Sequence, residues 1–145
     1  VCKISLIDRR KVLCQLGVGL VGLYGCAGMP TYMAVLKGEE IMLNRVEVEK
    51  ALQDREAIRV RAAGWAEDIV LMRPEDGGDG LVALGMTCSH LGCQVRPGGG
   101  FLVCPCHGST YNLRGEVVRG PAQKDLHKYW ISKNENYINI TATVR

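Results

Sequence analysis

The chain has 145 residues, 47% of them hydrophobic, so it can bury the core of one ordinary domain and is not disordered. Its formal charge of +3 sits at the start, where Lys3, Arg9, Arg10 and Lys11 stand against Asp8, and the rest of the chain is balanced. That leaves a phosphate-binding face unsupported, and no nucleic acid is expected as a partner.

Residues 1–11 read as a basic, cytoplasmic N-terminus. Residues 12–36, "VLCQLGVGLVGLYGCAGMPTYMAVL", carry no charge. At about 1.5 Å of rise per residue, a helix of that length crosses a hydrocarbon core of about 30 Å, so the segment is expected to be a transmembrane anchor. Its glycines weaken a helix in water but suit close helix packing in a membrane. A cleaved or lipidated signal segment is the competing reading, because "LYGC" at Leu23–Cys26 resembles a lipoprotein processing site. The positive charge before the run places the N-terminus inside and the body across the membrane. "IDRRKVL" also looks like a twin-arginine export signal, which carries a folded, cofactor-loaded body.

Residues 37–48 are polar and without strong periodicity, and are expected to form a hinge. Val48 to Gln53 can make a helical turn. Short strands are predicted beyond it at Ala57–Ala62, Ile69–Met72, Leu81–Leu84, Phe101–Val103, Lys128–Ser132 and Tyr137–Val144. "PEDGGDG" at Pro74–Gly80 and "PGGG" at Pro97–Gly100 are the turn signals between some of them. Residues 49–145 therefore read as an antiparallel β domain.

The chemistry is concentrated in "CSHLGCQVRPGGGFLVCPCHGSTYN", Cys88 to Asn112, which holds four of seven cysteines and two of three histidines. Cys88 and His90 stand two apart and point the same way in extended backbone, so they can grip one metal. Cys104 and His107 stand three apart, which a tight turn can bring together. Cys93 and Cys106 are left over and are better placed to find each other than to reach a metal. A structural zinc site of four cysteines fits poorly, because C-x4-C with C-x-C lacks the usual knuckle spacing and idles both histidines. A domain stapled by two disulfides would leave the histidines unliganded, and a Cys–His nucleophile would not explain four cysteines.

"C-S-H-L-G-C" at Cys88–Cys93 and "C-P-C-H-G-S" at Cys104–Ser109 resemble the two cluster-binding boxes of Rieske iron–sulfur proteins, in particular the disulfide-containing subunit of cytochrome bc-type quinol-oxidising complexes. "GPAQKDL" at Gly120–Leu126 is similar to that family's third loop, although Gln123 stands where a second proline is common and the spacer between the boxes is short. The resemblance implies a β-sandwich with an inserted cluster-binding subdomain behind one transmembrane helix. It further implies a 2Fe-2S cluster with Cys88 and Cys104 on one iron, His90 and His107 on the other, and a Cys93–Cys106 disulfide. Two neutral imidazoles in place of two thiolates make such a centre easier to reduce.

Further roles follow from the same resemblance. Ser109 and Tyr111 would donate hydrogen bonds to cluster sulfurs, and His107 would meet a quinol. Leu91, Gly108 and Pro121 would dock on a cytochrome b subunit. The implied partners are that subunit, a c-type cytochrome, quinol and the membrane, within a dimeric multi-subunit quinol–cytochrome c or plastoquinol–plastocyanin reductase, the cluster domain lying on the periplasmic or lumenal side. A small subunit of an arsenite-oxidase-like enzyme or a stand-alone Rieske carrier is the competing functional class. His127 has no partner at ligand spacing and is expected at the surface.

Overall fold

The computed structural model describes residues 28–53, 55–73 and 80–142. The basic N-terminus, the anchor as far as residue 27 and most of the Pro74–Gly80 turn lie outside them. Among the described residues no helix is long and apolar enough to cross a membrane.

The architecture is mainly β, as expected, with eleven strands and one short helix among the described residues. Strands β1 (Thr31–Lys37), β2 (Glu40–Asn44), β3 (Ala57–Ala62), β4 (Ile69–Met72), β5 (Val82–Gly85), β10 (Lys128–Lys133) and β11 (Tyr137–Thr141) form a closed barrel in the order β1-β2-β11-β10-β5-β4-β3. The strands predicted at Ala57, Ile69 and Phe101 match their observed bounds. Those at Leu81, Lys128 and Tyr137 shift by one to a few residues at their ends.

Two expectations are corrected. The domain closes into a barrel rather than forming an antiparallel sandwich, and the closing pair, β1 with β3, is parallel. A parallel pair needs a crossover, which β2 and helix α1 (Arg45–Ala51) supply. The second correction concerns the end of the anchor and the hinge. Thr31–Leu36 is strand, not membrane helix, and residues 37–48 are built into β1, β2 and α1 rather than left as a linker.

The physical reason lies in an apolar outer face. Tyr32, Ala34 and Leu36 pack into the barrel core, but Met33 and Val35, 65% and 68% exposed, sit between them on the other side. Apolar residues on both faces hide the period of two that marks a strand. Helix α1 starts earlier than the predicted turn because the Asn44 side chain caps it, accepting from the Glu47 N–H at 3.2 Å. Its Val48 then closes one part of the core.

Strands β3, β4 and β5 are covered on both sides. Ile58, Val60, Ile69, Leu71 and Ala83 point into the barrel. Their alternating neighbours Ala57, Val70, Met72 and Leu84 point outward into a second core with Val95, Leu102 and Tyr111. The outer layer belongs to residues 86–127, inserted between the paired strands β5 and β10. It contains a four-stranded sheet of β6 (Arg96–Gly98), β7 (Phe101–Val103), β8 (Thr110–Tyr111) and β9 (Val117–Arg119). The inserted subdomain thus packs on the barrel wall of β3, β4 and β5.

Candidate metal centre

Two loops of the insert repeat one hydrogen-bond pattern. In the first, Cys88 N donates to Cys93 O at 2.8 Å and Gly92 N to Cys88 O at 2.9 Å; in the second, Cys104 N donates to Ser109 O at 2.8 Å and Gly108 N to Cys104 O at 3.0 Å. Gly92 and Gly108 close these turns with φ of 78° and 74°, a left-handed conformation that side chains with a Cβ resist. Gly108, expected from the resemblance as a docking residue, also shapes with its backbone the loop that carries His107.

The repeat brings the two boxes face to face. Cys88 and Cys104 are free thiols, 2% and 1% exposed. The rings of His90 and His107 meet edge to face with centroids 4.9 Å apart. Cys93 and Cys106 form a disulfide with Cα atoms 6.5 Å apart, and the Cys104 sulfur lies within 4.8 Å of both of its sulfurs. His107, Pro105, Cys106 and Gly108 are exposed, as are Leu91 (69%) and Pro121.

A third loop ties the other two. Ala122 N donates to Ser109 Oγ at 3.0 Å, and the Ser89 hydroxyl donates to Lys124 O. Tyr111, fully buried, brings its hydroxyl to 3.2 Å from Cys88 Sγ while accepting from Ser89 N at 3.2 Å. Burial pushes the Cys88 thiol up. Hydrogen bonds from Tyr111, the His90 backbone, Cys104 and Ser109 outweigh that push and hold it below the usual thiol range, which favours the thiolate that binds metal. Burial, and then the bond to Cys88, push the Tyr111 phenol up, so it stays protonated and able to donate.

The donor set suits a binuclear iron–sulfur cluster. Two buried thiols and two imidazoles converge, and His90 Nδ1 is buried with no hydrogen-bond partner among the described residues. A buried ring nitrogen left unpaired is costly, and a metal bond would satisfy it.

The barrel holds the first loop by residues that sequence reading missed. Thr87 and Gln94 form a β-bridge that closes this loop. Glu67 Oε2 accepts from Thr87 N at 3.1 Å, and Asp68 Oδ2 accepts from Gln94 Nε2 at 3.1 Å, so neighbouring carboxylates grip both sides of the bridge. Each carboxylate is itself held: Tyr129 donates to Glu67 at 2.9 Å, and Arg61 donates to both Asp68 oxygens at 2.8 and 2.6 Å. The Arg61 guanidinium, against the opposing effect of burial, keeps the Asp68 carboxyl below the usual carboxylate range. His127 is exposed, as expected, with its ring on Tyr129 at 4.5 Å. Nothing in the spacing of "AEDIV" marks its two acids as partners of a loop about twenty residues on.

Gly85 makes room for this grip. A Cβ there would collide with the Glu67 carboxylate, which its bonds to Thr87 and Tyr129 hold in place. Gly85→Ala is expected to destabilise the domain by about 1–3 kcal/mol, the usual cost of overpacking. Thermal denaturation would show it, and an unchanged midpoint would mean that Glu67 yields freely.

Fold and site together define an iron–sulfur electron carrier built as a β-barrel with a two-loop cluster insert. The Rieske 2Fe-2S domain model matches residues 42–130, and the chain belongs to that family. Among its relatives, the cytochrome b6-f complex iron-sulfur subunit 2 of the Cyanophora paradoxa cyanelle is 41% identical over 87 residues, 57% of this chain and 36% of that protein. The cytochrome b6-f complex iron-sulfur subunit of Synechococcus sp. (strain JA-3-3Ab) is 35% identical over 91 residues, 61% of this chain and 51% of that one. The matched part thus spans about a third to a half of these relatives. The crystal structure of the plasma membrane Rieske protein PetC3 from Synechocystis PCC 6803 superposes with a TM-score of 0.56 at 29% identity, over 63% of this chain and 92% of that one.

Proposed function

We propose that this chain is the membrane-anchored electron-transfer subunit of a quinol-oxidising complex, working between a cytochrome b subunit and a c-type cytochrome. The observation that carries the reading is the disulfide-linked pair of loops with the Tyr111 hydroxyl on Cys88. The family resemblance associates that disulfide with subunits of such complexes and with arsenite-oxidase small subunits, not with soluble ferredoxins; Tyr111 and the uncharged segment favour the quinol-oxidising complex, and the b6-f relatives point the same way.

In this reading Cys88, Cys104, His90 and His107 hold the cluster. The 2Fe-2S group, when bound, supplies acceptance of one electron. Ser109 and Tyr111 hydrogen-bond to sulfur and favour the electron-rich state. His107, exposed at the tip, receives the hydrogen bond of a quinol, and Leu91, Gly108 and Pro121 form the surface that docks on cytochrome b. The uncharged segment that starts at residue 12 is the anchor, the charged N-terminus stays on the cytoplasmic side, and the cluster domain lies on the periplasmic or lumenal side of a dimeric complex.

Affinity purification from native membranes tests the proposal. Haem absorbance of both b and c type is expected to co-purify, with the subunits identified by mass spectrometry. Recovery of the chain without haem would overturn the reading and favour a stand-alone carrier or an arsenite-oxidase-like enzyme.

Tyr111→Phe and Ser109→Ala are each expected to lower the midpoint potential. A hydrogen bond that favours the reduced state by about 1 kcal/mol corresponds to about 40 mV in a one-electron couple. Voltammetry of the holoprotein measures it. Potentials unchanged in both variants would show that neither hydroxyl acts on the reduced state.

A further inference from the structure

Between the barrel and the insert lies a cavity of about 620 Å³ whose walls include Arg55 and Arg59 from the approach to β3 and from β3 itself, and Arg96 from β6. Glu56 is the one acid among its described lining residues. The chain beyond residue 36 is neutral in sum, so this cluster is made by folding: residues about forty apart bring like charges to one space. Such a convergence is unfavourable unless a counter-charge joins it.

Arg59 shows that the protein itself supplies too little. Its Nε is buried and has no hydrogen-bond partner among the described residues. Its Nη1 comes only to 3.8 Å from Asp68, whose carboxylate already takes two bonds from Arg61 and one from Gln94. A buried guanidinium N–H left unpaired is costly. The planar fork of arginine matches phosphate oxygens two at a time, and three such guanidinium side chains line this one cavity. The cavity falls within the size range of small-molecule sites. A smaller cavity of about 110 Å³, lined by Arg73 and sharing Arg55 and Glu56, extends the cationic surface beside it.

From this geometry we infer that the cavity is a binding site for a phosphate-bearing anion, held between Arg59 of the barrel and Arg96 of the insert with Arg55 at its rim. It is distinct from the loops that carry the cysteines and histidines. An anion there bridges the two subdomains and stabilises their contact by an amount that grows with the logarithm of its concentration above the dissociation constant. Two sources present the same chemistry, a free phosphate compound and the headgroup of an anionic phospholipid. Met29 and Pro30, within the last third of the uncharged segment, also line the cavity.

Calorimetry on the cluster-loaded protein separates the outcomes, with inorganic pyrophosphate, soluble dihexanoyl-phosphatidylglycerol and dihexanoyl-phosphatidylcholine as probes. Pyrophosphate or phosphatidylglycerol is expected to bind and the zwitterionic lipid not to. Arg59→Gln with Arg96→Gln is expected to weaken that binding about tenfold or more, as loss of charge-assisted bonds should. Arg55→Gln with Arg96→Gln changes only exposed residues and serves if the first variant does not fold; a retained cluster signal certifies each protein. Preference for pyrophosphate assigns a soluble anion, and preference for phosphatidylglycerol assigns a headgroup. Absence of binding by both anionic probes, or binding indifferent to the variants, overturns the inference.

Discussion

Alanine in place of Cys88, His90, Cys104 or His107 is expected to abolish the cluster's low-temperature paramagnetic resonance signal altogether, while the far-ultraviolet circular dichroism of the β domain persists. The two halves of that result have separate causes. In the proposed ligand set each of the four supplies a bond to metal, and the geometry offers no substitute: the remaining cysteines of the site are consumed in the Cys93–Cys106 bridge. His127, the other histidine, is engaged with Tyr129. The fold survives because the loops do not depend on the metal for their shape. Their backbone turns close on themselves, the Glu67 and Asp68 carboxylates hold the first from the barrel, and Ser109 and Ser89 tie both to the third loop. His127→Ala is the control and should keep the signal. An undiminished signal in any of the four variants would remove that residue from the ligand set, and loss of β structure in all of them would mean that the cluster, not the backbone, organises the insert.

Removal of the disulfide by Cys93→Ser with Cys106→Ser is expected to have the largest effect on stability. The bridge closes a loop across a sequence separation of 13, for which the chain-entropy account gives about 3 kcal/mol. In a domain of somewhat over 100 residues each kcal/mol moves the melting midpoint by about 3–6 °C, so a fall of about 9–18 °C is expected. The loss falls on the site as well as the fold. One half-cystine adjoins the loop carrying His90 and the other precedes His107, so their mutual position relaxes when the link is cut. Cluster assembly should therefore occur, followed by faster decay of the resonance signal than in the parent protein. Thermal denaturation and the half-life of the signal measure both effects. A midpoint within about 2 °C of the parent, with a signal equally long-lived, would show that hydrogen bonds alone secure the two loops.

The contrast between these variants and Gly85→Ala separates what sequence shows from what folding adds. The cysteine and histidine boxes are legible because their chemistry is local. Two or three residues of spacing set the direction of each side chain, and the glycines that turn the chain stand within the same boxes. The strands at Ala57, Ile69 and Phe101 are legible for a related reason, since β-branched and apolar residues there are bounded by turns. Ser109 and Tyr111 follow their box so closely that the resemblance reaches them too, and the structure brings the Tyr111 hydroxyl to 3.2 Å from the Cys88 sulfur.

Local patterns in the chain thus carried the class of centre, the candidate residues for it, and a mainly β body. Tertiary structure alone decided how the chain before Ala57 is used. Thr31–Lys37 reads as the end of an apolar run, and only its parallel pairing with β3 makes it a barrel strand with Met33 and Val35 turned outward. It alone decided the support of the first loop, because Glu67 and Asp68 reach Thr87 and Gln94 across the wall between β4 and β5. The meeting of Arg59 with Arg96 has the same origin. Backbone spacing fixes directions over a few residues, whereas contacts between distant segments depend on which strands pair and on what register, and that is settled by burial of the whole core.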